Sequence, residues 1–184
     1  MKNIVLIFFA SLMFKEGVAQ YKPVDNKSSV LFKVKTFGIN VNGTFTGLDG
    51  NIVFDPNHLN DSRFDVNIDT KSINTDNSLR DDHLKEESFF DVKKYPLIHF
   101  VSTRIAPSTK KGTLLIYGKL SIKDETKEVL FPFTAEPLVN SYLFKGKLSV
   151  NRKDFHVGET NIISDNVEIL LSVLATKEPE VTSF

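Results

Sequence analysis

Apolar and polar residues alternate along most of the chain, and the alternation resolves into strands. In Ser28–Thr36, Val30, Phe32 and Val34 fall on one face while Leu31, Lys33 and Lys35 fall on the other. Val41–Phe54 reads as a second, longer strand. Its Gly43, Gly47 and Gly50 predict bends or bulges of the kind a closing sheet needs. Ser62–Thr70 alternates cleanly, with Phe64, Val66 and Ile68 against Arg63, Asp65, Asn67 and Asp69. Further strands follow over Leu97–Ile105 (Ile98, Phe100 and Ser102 on one face) and Thr113–Ile122 (Leu114, Ile116, Gly118, Leu120, Ile122). Val129, Phe131 and Phe133 align in the next, Phe144, Gly146, Leu148 and Val150 in the one after, and Val167, Ile169, Leu171 and Val173 in the last. Asp55-Pro56-Asn57, Lys110-Lys111-Gly112, Lys123–Thr126 and Asn140-Ser141 supply turns. Eight strands joined mostly by short turns are antiparallel neighbours, with one dry face. A sandwich and a closed barrel both satisfy that pattern; strand length and the bend-forming glycines favour the barrel.

One stretch breaks the pattern. Ser72–Pro96 has helical spacing at Leu79, His83 and Leu84 and reads as a helical crossover between the third and fourth strands. It also concentrates charge. Arg80, Asp81, Asp82 and His83 put carboxylates beside an imidazole, as general acid–base catalysis or metal ligation requires. Four consecutive helical residues point in four directions, however, so they do not converge on one substrate. The structural reading is preferred. Thr75 or Ser78 caps the helix, Asp81 follows Ser78 at capping-box spacing, and Arg80 pairs with a strand carboxylate. His58, His99 and His156 stand alone, and neither HxH nor HExxH spacing occurs. There is no Gly-rich phosphate loop and no GxSxG elbow. The catalytic alternative is a lipid-modifying isomerase or hydrolase using Asp81 and His83.

Composition changes the picture in three ways. Met1-Lys2, the apolar run Ile4–Phe14 and the small residues Gly17-Val18-Ala19 make residues 1–19 a signal peptide, too short for a membrane span. The expected mature chain of 165 residues carries a formal charge of −1, with no basic excess for nucleic acid. Exported proteins commonly use disulfides, but this chain has no Cys, which leaves packing as the source of stability and excludes thiol chemistry. Sixteen Phe and no Trp, with thirteen of those Phe beyond the signal peptide, point to a large dry core or a dry cavity, since Phe needs no buried hydrogen-bond partner. The residues assigned inward are Phe32, Val34, Phe45, Phe64, Val66, Ile68, Phe100, Leu120, Phe131, Phe133, Phe144 and Leu148. Eight strands leave an interior that such side chains either fill or line around one small ligand. Patterning leaves those two alternatives open.

A series of short motifs resembles the YceI-like family of secreted polyisoprenoid-binding proteins with a lipocalin-like barrel. They are Phe54-Asp55-Pro56, Ser72-Ile73-Asn74-Thr75, Arg80-Asp81-Asp82-His83-Leu84, and Phe89-Phe90-Asp91 running to Tyr95-Pro96. The series continues with Gly118-Lys119-Leu120-Ser121-Ile122, Asn151-Arg152-Lys153-Asp154-Phe155 and Ile163-Ser164-Asp165. Three positions depart from the family: Asn74 for Asp, Asp124 for a turn Gly, and His156 for Gly. The resemblance implies an extended eight-stranded antiparallel barrel over residues 20–176, followed by a polar tail over 177–184. It implies a non-catalytic protein, without cofactor, exported to the periplasm or secreted. The implied partner is a hydrophobic isoprenoid lipid, either a polyprenyl chain or an isoprenoid quinone, in a tunnel walled by the twelve inward residues. A transient contact with a membrane surface and a homodimer are both compatible with it. Ten-residue strands span roughly 33 Å before tilting, so the expectation is a tunnel open at one end with the lipid's polar head at a rim.

Overall fold

The structure is a computed structural model describing residues 19–178; the signal peptide expected over residues 1–19, all but its last residue, and residues 179–184 of the expected tail lie outside the described residues. Ten strands form one antiparallel sheet: β1 (Gln20–Pro23), β2 (Ser29–Thr36), β3 (Ile39–Phe45), β4 (Asp49–Val53) and β5 (Arg63–Asp69), then β6 (Leu97–Pro107), β7 (Leu114–Ile122), β8 (Glu125–Leu138), β9 (Ser141–Asn151) and β10 (Asn166–Lys177). Their order is β1-β4-β5-β6-β7-β8-β9-β10-β2-β3, and β1 pairs with β10 as well, which closes the sheet. β1 and β2 are one stave interrupted by a 3-10 turn at Asp25–Lys27, and β3 and β4 are another broken at residues 46–48. The result is the expected eight-stranded closed barrel.

The differences from the strand pattern are local. The amino-terminal stave begins at Gln20, eight residues before the expected first strand, and Tyr21 is buried there. At the other terminus Lys177 and Glu178, the first two residues of the expected polar tail, join the barrel. Lys177 pairs with Tyr21, and the Glu178 amide donates to the Gln20 carbonyl at 2.9 Å. The long second strand breaks at Gly47, whose φ of 73° suits a residue without Cβ. Gly43 serves a different purpose. It faces Phe32 across the β2–β3 pair, and a Cβ there would lie 2.2 Å from the ring's Cζ. A bulge between Ser102 and Arg104 shifts the β6 register, so Ile98, Phe100, Ser102 and then Ile105 all face inward.

The crossover is less helical than its spacing suggested. Only α1 (Ser78–Leu84) is α-helix, and Leu79 within it is exposed. Its cap is Asn77, whose side chain accepts from the Arg80 amide at 3.0 Å, in place of the expected Thr75 or Ser78. The crossover is bound at its base, where the buried Thr70 donates to the Tyr95 carbonyl and its amide to the Pro96 carbonyl. Thr44 and Asn74 exchange two backbone hydrogen bonds, so the crossover covers the free edge of β3. Ile73 and Phe89 then reach the barrel interior and pack with Phe45, Ile98, Leu120 and Phe155.

One buried charge organises the same end. Arg152, 5% exposed, follows β9, and its guanidinium donates to the carbonyls of Val157, Thr160, Ile163 and Ser164 at 2.6–3.0 Å. It shapes the whole 157–164 loop. Arg152→Lys replaces a planar fork by a point charge and leaves several of these acceptors without a donor. Urea unfolding should show a loss of about 3 kcal/mol.

Candidate functional site

Inside the barrel the buried apolar side chains form two clusters, one at each end. At the end formed by β1, the 55–62 connection and the β8–β9 turn, Phe54, Phe64, Phe133 and Phe144 pack with Tyr21 and Tyr142. Phe54 is 2% exposed and lies edge-on to four of these rings, with centroids 5.0 Å from Tyr142 and 5.2 Å from Phe144. Burial raises the pKa of the Tyr21 hydroxyl above the usual tyrosine range, with Tyr142 and Asp55 adding to the effect. This end is a solid aromatic plug.

Beyond the plug the interior is hollow. A cavity of about 740 Å³ runs toward the crossover end. All twelve residues assigned inward border it: Phe32, Val34, Phe45, Phe64, Val66, Ile68, Phe100, Leu120, Phe131, Phe133, Phe144 and Leu148. They do so in two ways. Phe64, Phe131, Phe133 and Phe144 belong to the packed core at the closed end, and Phe45 and Leu120 are buried in the cluster toward the crossover. Phe32, Val34, Val66, Ile68, Phe100 and Leu148 face inward but stay only half-buried, because space rather than a packing partner lies in front of them.

Other wall residues were absent from that set. Val167, Ile169, Leu171 and Val173 on β10 carry the same two-residue period and border the cavity throughout. Their signal was present in the alternation. Leu84, Phe89 and Phe90 on the crossover and Ile163 in the Arg152 loop also border it. No period marks them, since only the folding of loops over the barrel end brings them in.

Polar groups gather where the wall meets the crossover: Thr36, Thr75, Arg80, His83, Glu159 and Thr160. Arg80 does not pair with a strand carboxylate. Its Nε donates to Thr75 Oγ1 and its Nη2 to the Thr75 carbonyl, each at 2.7 Å. Asp81 accepts from the Thr75 amide at 2.9 Å and from its hydroxyl. Thr75 thus joins the guanidinium and the carboxylate into one buttress, and Arg80 borders the cavity with no carboxylate of its own among the described residues. His83 has other company: its ring lies edge-on to Phe89 with centroids 4.9 Å apart, and Nδ1 is 3.6 Å from Glu86. Asp81 and His83 therefore have separate partners.

The remaining histidines lie away from the cavity, each beside a carboxylate. His58 Nδ1 and Asp55 share a hydrogen bond of 2.8 Å that raises the imidazole pKa and lowers that of the carboxyl. His99 Nε2 meets Asp65 at 2.8 Å and lowers the carboxyl pKa there. His156 is 3.6 Å from Glu125, whose pKa falls first through Lys127 and only secondarily through His156. Among the described residues no three His, Asp or Glu side chains are grouped to hold one metal ion. Of the three departures from the family pattern, none borders the cavity. His156 has a φ of 52°, a left-handed conformation that glycine adopts without strain.

A closed eight-stranded antiparallel barrel, plugged by rings at one end and hollow toward the other, is a barrel of the lipocalin-like class. The chain belongs to the YceI-like family, whose model, the YceI-like domain, matches residues 21–175. It is 31% identical to the Protein YceI of Salmonella agona, over 94% of this chain and 96% of that one. Among solved structures it resembles BcnA of Burkholderia cenocepacia, with a TM-score of 0.77 and 29% identity over 82% of this chain and 98% of that one. It also shares its fold with a polyisoprenoid binding domain from Saccharophagus degradans, at a TM-score of 0.70 and 14% identity over 86% of this chain and 98% of that one.

The plug and the hollow should respond differently to truncation. Phe54→Ala opens a packed site and should cost about 3–5 kcal/mol. Leu148→Ala removes methyl groups that already face space and should cost less than about 2 kcal/mol, below the range for a packed leucine. Equal losses in equilibrium unfolding would mean that the interior is uniformly packed.

Proposed function

We propose that the protein binds an isoprenoid lipid, a polyprenyl chain or an isoprenoid quinone, in its barrel cavity and stores or carries it without chemical change. The observation that carries this reading is the size and lining of the hollow. About 740 Å³ lies within the roughly 300–1,000 Å³ typical of small-molecule sites. Left empty, an apolar wall of that extent would lack the packing contacts that stabilise a protein interior. Water is a poor filling, because each buried molecule needs two to four polar partners and the polar groups are confined to one end. A hydrocarbon chain needs none and gains about 0.8 kcal/mol per CH₂ buried. Family membership and the shared fold with a polyisoprenoid binding domain support the same class of ligand.

In this reading the chain lies between β2, β9, β10 and the crossover, with its end against the aromatic plug. Its polar head sits at the rim by Arg80, Thr75 and Thr160. The separate partners of Asp81 and His83 support binding without turnover. Export is supported by the apolar run Ile4–Phe14, and the lipid would be taken up at a membrane surface outside the cytoplasm.

Organic extraction and native mass spectrometry of freshly purified protein should recover an isoprenoid lipid in near-stoichiometric amount. Val34→Trp places a ring in the hollow and should cut loading at least tenfold while leaving the thermal midpoint unchanged or higher. Repeatedly lipid-free extracts from quinone-rich cells, or full loading of the Trp variant, would remove the basis of this function.

A further inference from the structure

Large apolar side chains are exposed at eight places among the described residues, and four of them stand at the crossover end: Phe37, Ile39, Leu79 and Ile162. Phe37 is 75% exposed and Ile39 70%. Phe37 opens the two-residue turn between β2 and β3, and Ile39 is the first residue of β3. Thr36 borders the cavity and pairs with Ile39, so Ile39 lies on the interior side of the hairpin, yet it is bare. The hairpin tip therefore projects past the barrel rim. Ile162 lies directly across, since its carbonyl accepts from the Phe37 amide at 3.0 Å, and Ile162 itself borders the cavity. Leu79 stands on the outer side of α1, beside the cavity-lining Arg80.

Phe37 carries the second observation. It and Gly38 have φ of 51° and 80°, the two positive values of a type I′ turn. Asn or Asp is favoured at the first of those positions, and a bulky residue there is strained. Of the six non-glycine residues with positive φ, Phe37 is the one apolar side chain. Neither turn chemistry nor core packing accounts for a phenyl ring at this site; contact with an apolar medium does.

We infer that the Phe37–Gly38 hairpin tip, with Ile39 and Ile162, inserts into the interfacial layer of a lipid bilayer and holds the cavity mouth against it. The inference rests on the lipid-carrier reading for its purpose, since a lipid could then pass from bilayer to barrel without crossing water. The occupant is a bilayer rather than an acidic or basic partner because the charged side chains bordering the cavity mouth are of both signs, Arg80 and Glu159, while the buried Arg152 is taken up by loop carbonyls. Insertion by apolar side chains alone should take an uncharged, zwitterionic surface and persist in salt.

The test uses phosphatidylcholine vesicles and the full chain. The natural sequence has no Trp, so Phe37→Trp places a single indole at the tip, and its emission should move to the blue when vesicles are added. Phe37→Asn supplies the residue the turn prefers. It should leave the thermal midpoint unchanged or raise it, while vesicle co-sedimentation falls roughly tenfold, the loss of part of one buried phenyl group. Both proteins carry the same amino terminus, so the difference reads the hairpin. Binding of the unaltered protein should survive about 0.5 M salt. An unchanged emission, equal binding of the Asn variant, or loss of binding in salt would overturn the inference. So would an emission shift that follows protein concentration without vesicles, which would assign the tip to a second copy of the chain. Lipid-loaded protein that ignores vesicles would defeat the docking alone. Vesicle binding by protein that never yields a lipid would defeat the carrier reading alone.

Discussion

An eight-stranded barrel stands at the width where inward side chains either just fill the interior or leave room for one small ligand. Side-chain size decides between the two outcomes, and this chain uses both. Phenyl and phenol rings from β4, β5, β8, β9 and the amino-terminal stave meet at one end and close it. At the other end the walls carry Val34, Val41, Ile68, Leu148, Val167 and Ile169 together with the rings of Phe32, Phe45, Phe89 and Phe90, and these leave a space between them. Phe64, Phe131, Phe133 and Phe144 serve both the packed end and the cavity wall.

Closing a barrel around a space requires the ends to be managed as well as the walls. The crossover after β5 covers the free edge of β3 and sends Phe89 and Phe90 to the cavity. On the facing side, the loop after β9 packs Val157 and Ile163 inward and is held through its backbone by the Arg152 guanidinium. A buried guanidinium is stabilising only with most of its donors satisfied, and four carbonyls from one loop meet that condition. Between these two covers and the β2–β3 hairpin lie the polar groups of the rim and the exposed apolar tip.

Arg80 shows how charge near an apolar cavity is kept without a buried ion pair. Two of its donors are taken by Thr75, which also binds Asp81. The guanidinium is thereby fixed in place beside the cavity, while its charge is not cancelled by a direct carboxylate contact. That arrangement suits a polar lipid head better than it suits proton transfer, for which Asp81 and His83 would have to act on a common point.

Much of this was legible in the alternation of residues. A strand shows only two faces, so every apolar period of two marks a wall, and the twelve inward residues all border the cavity. The same period was visible in Val167, Ile169, Leu171 and Val173. The class of chemistry was bounded too, because the absence of Cys and of convergent motifs is a property of composition and spacing. Tertiary structure alone decided the rest. Hollow or filled depends on distances across the barrel, which no local pattern encodes. The partners of Arg80 and most of those of Arg152 are carbonyls and hydroxyls of loops, placed by backbone geometry, with Asp165 at 3.4 Å the one carboxylate beside Arg152. The strand break at Gly47, the β6 bulge and the pairing of Lys177 with Tyr21 follow from closing the sheet on itself, which joins residues at opposite ends of the chain. Sequence spacing determines which way a side chain faces; what stands opposite it is set only when the barrel closes.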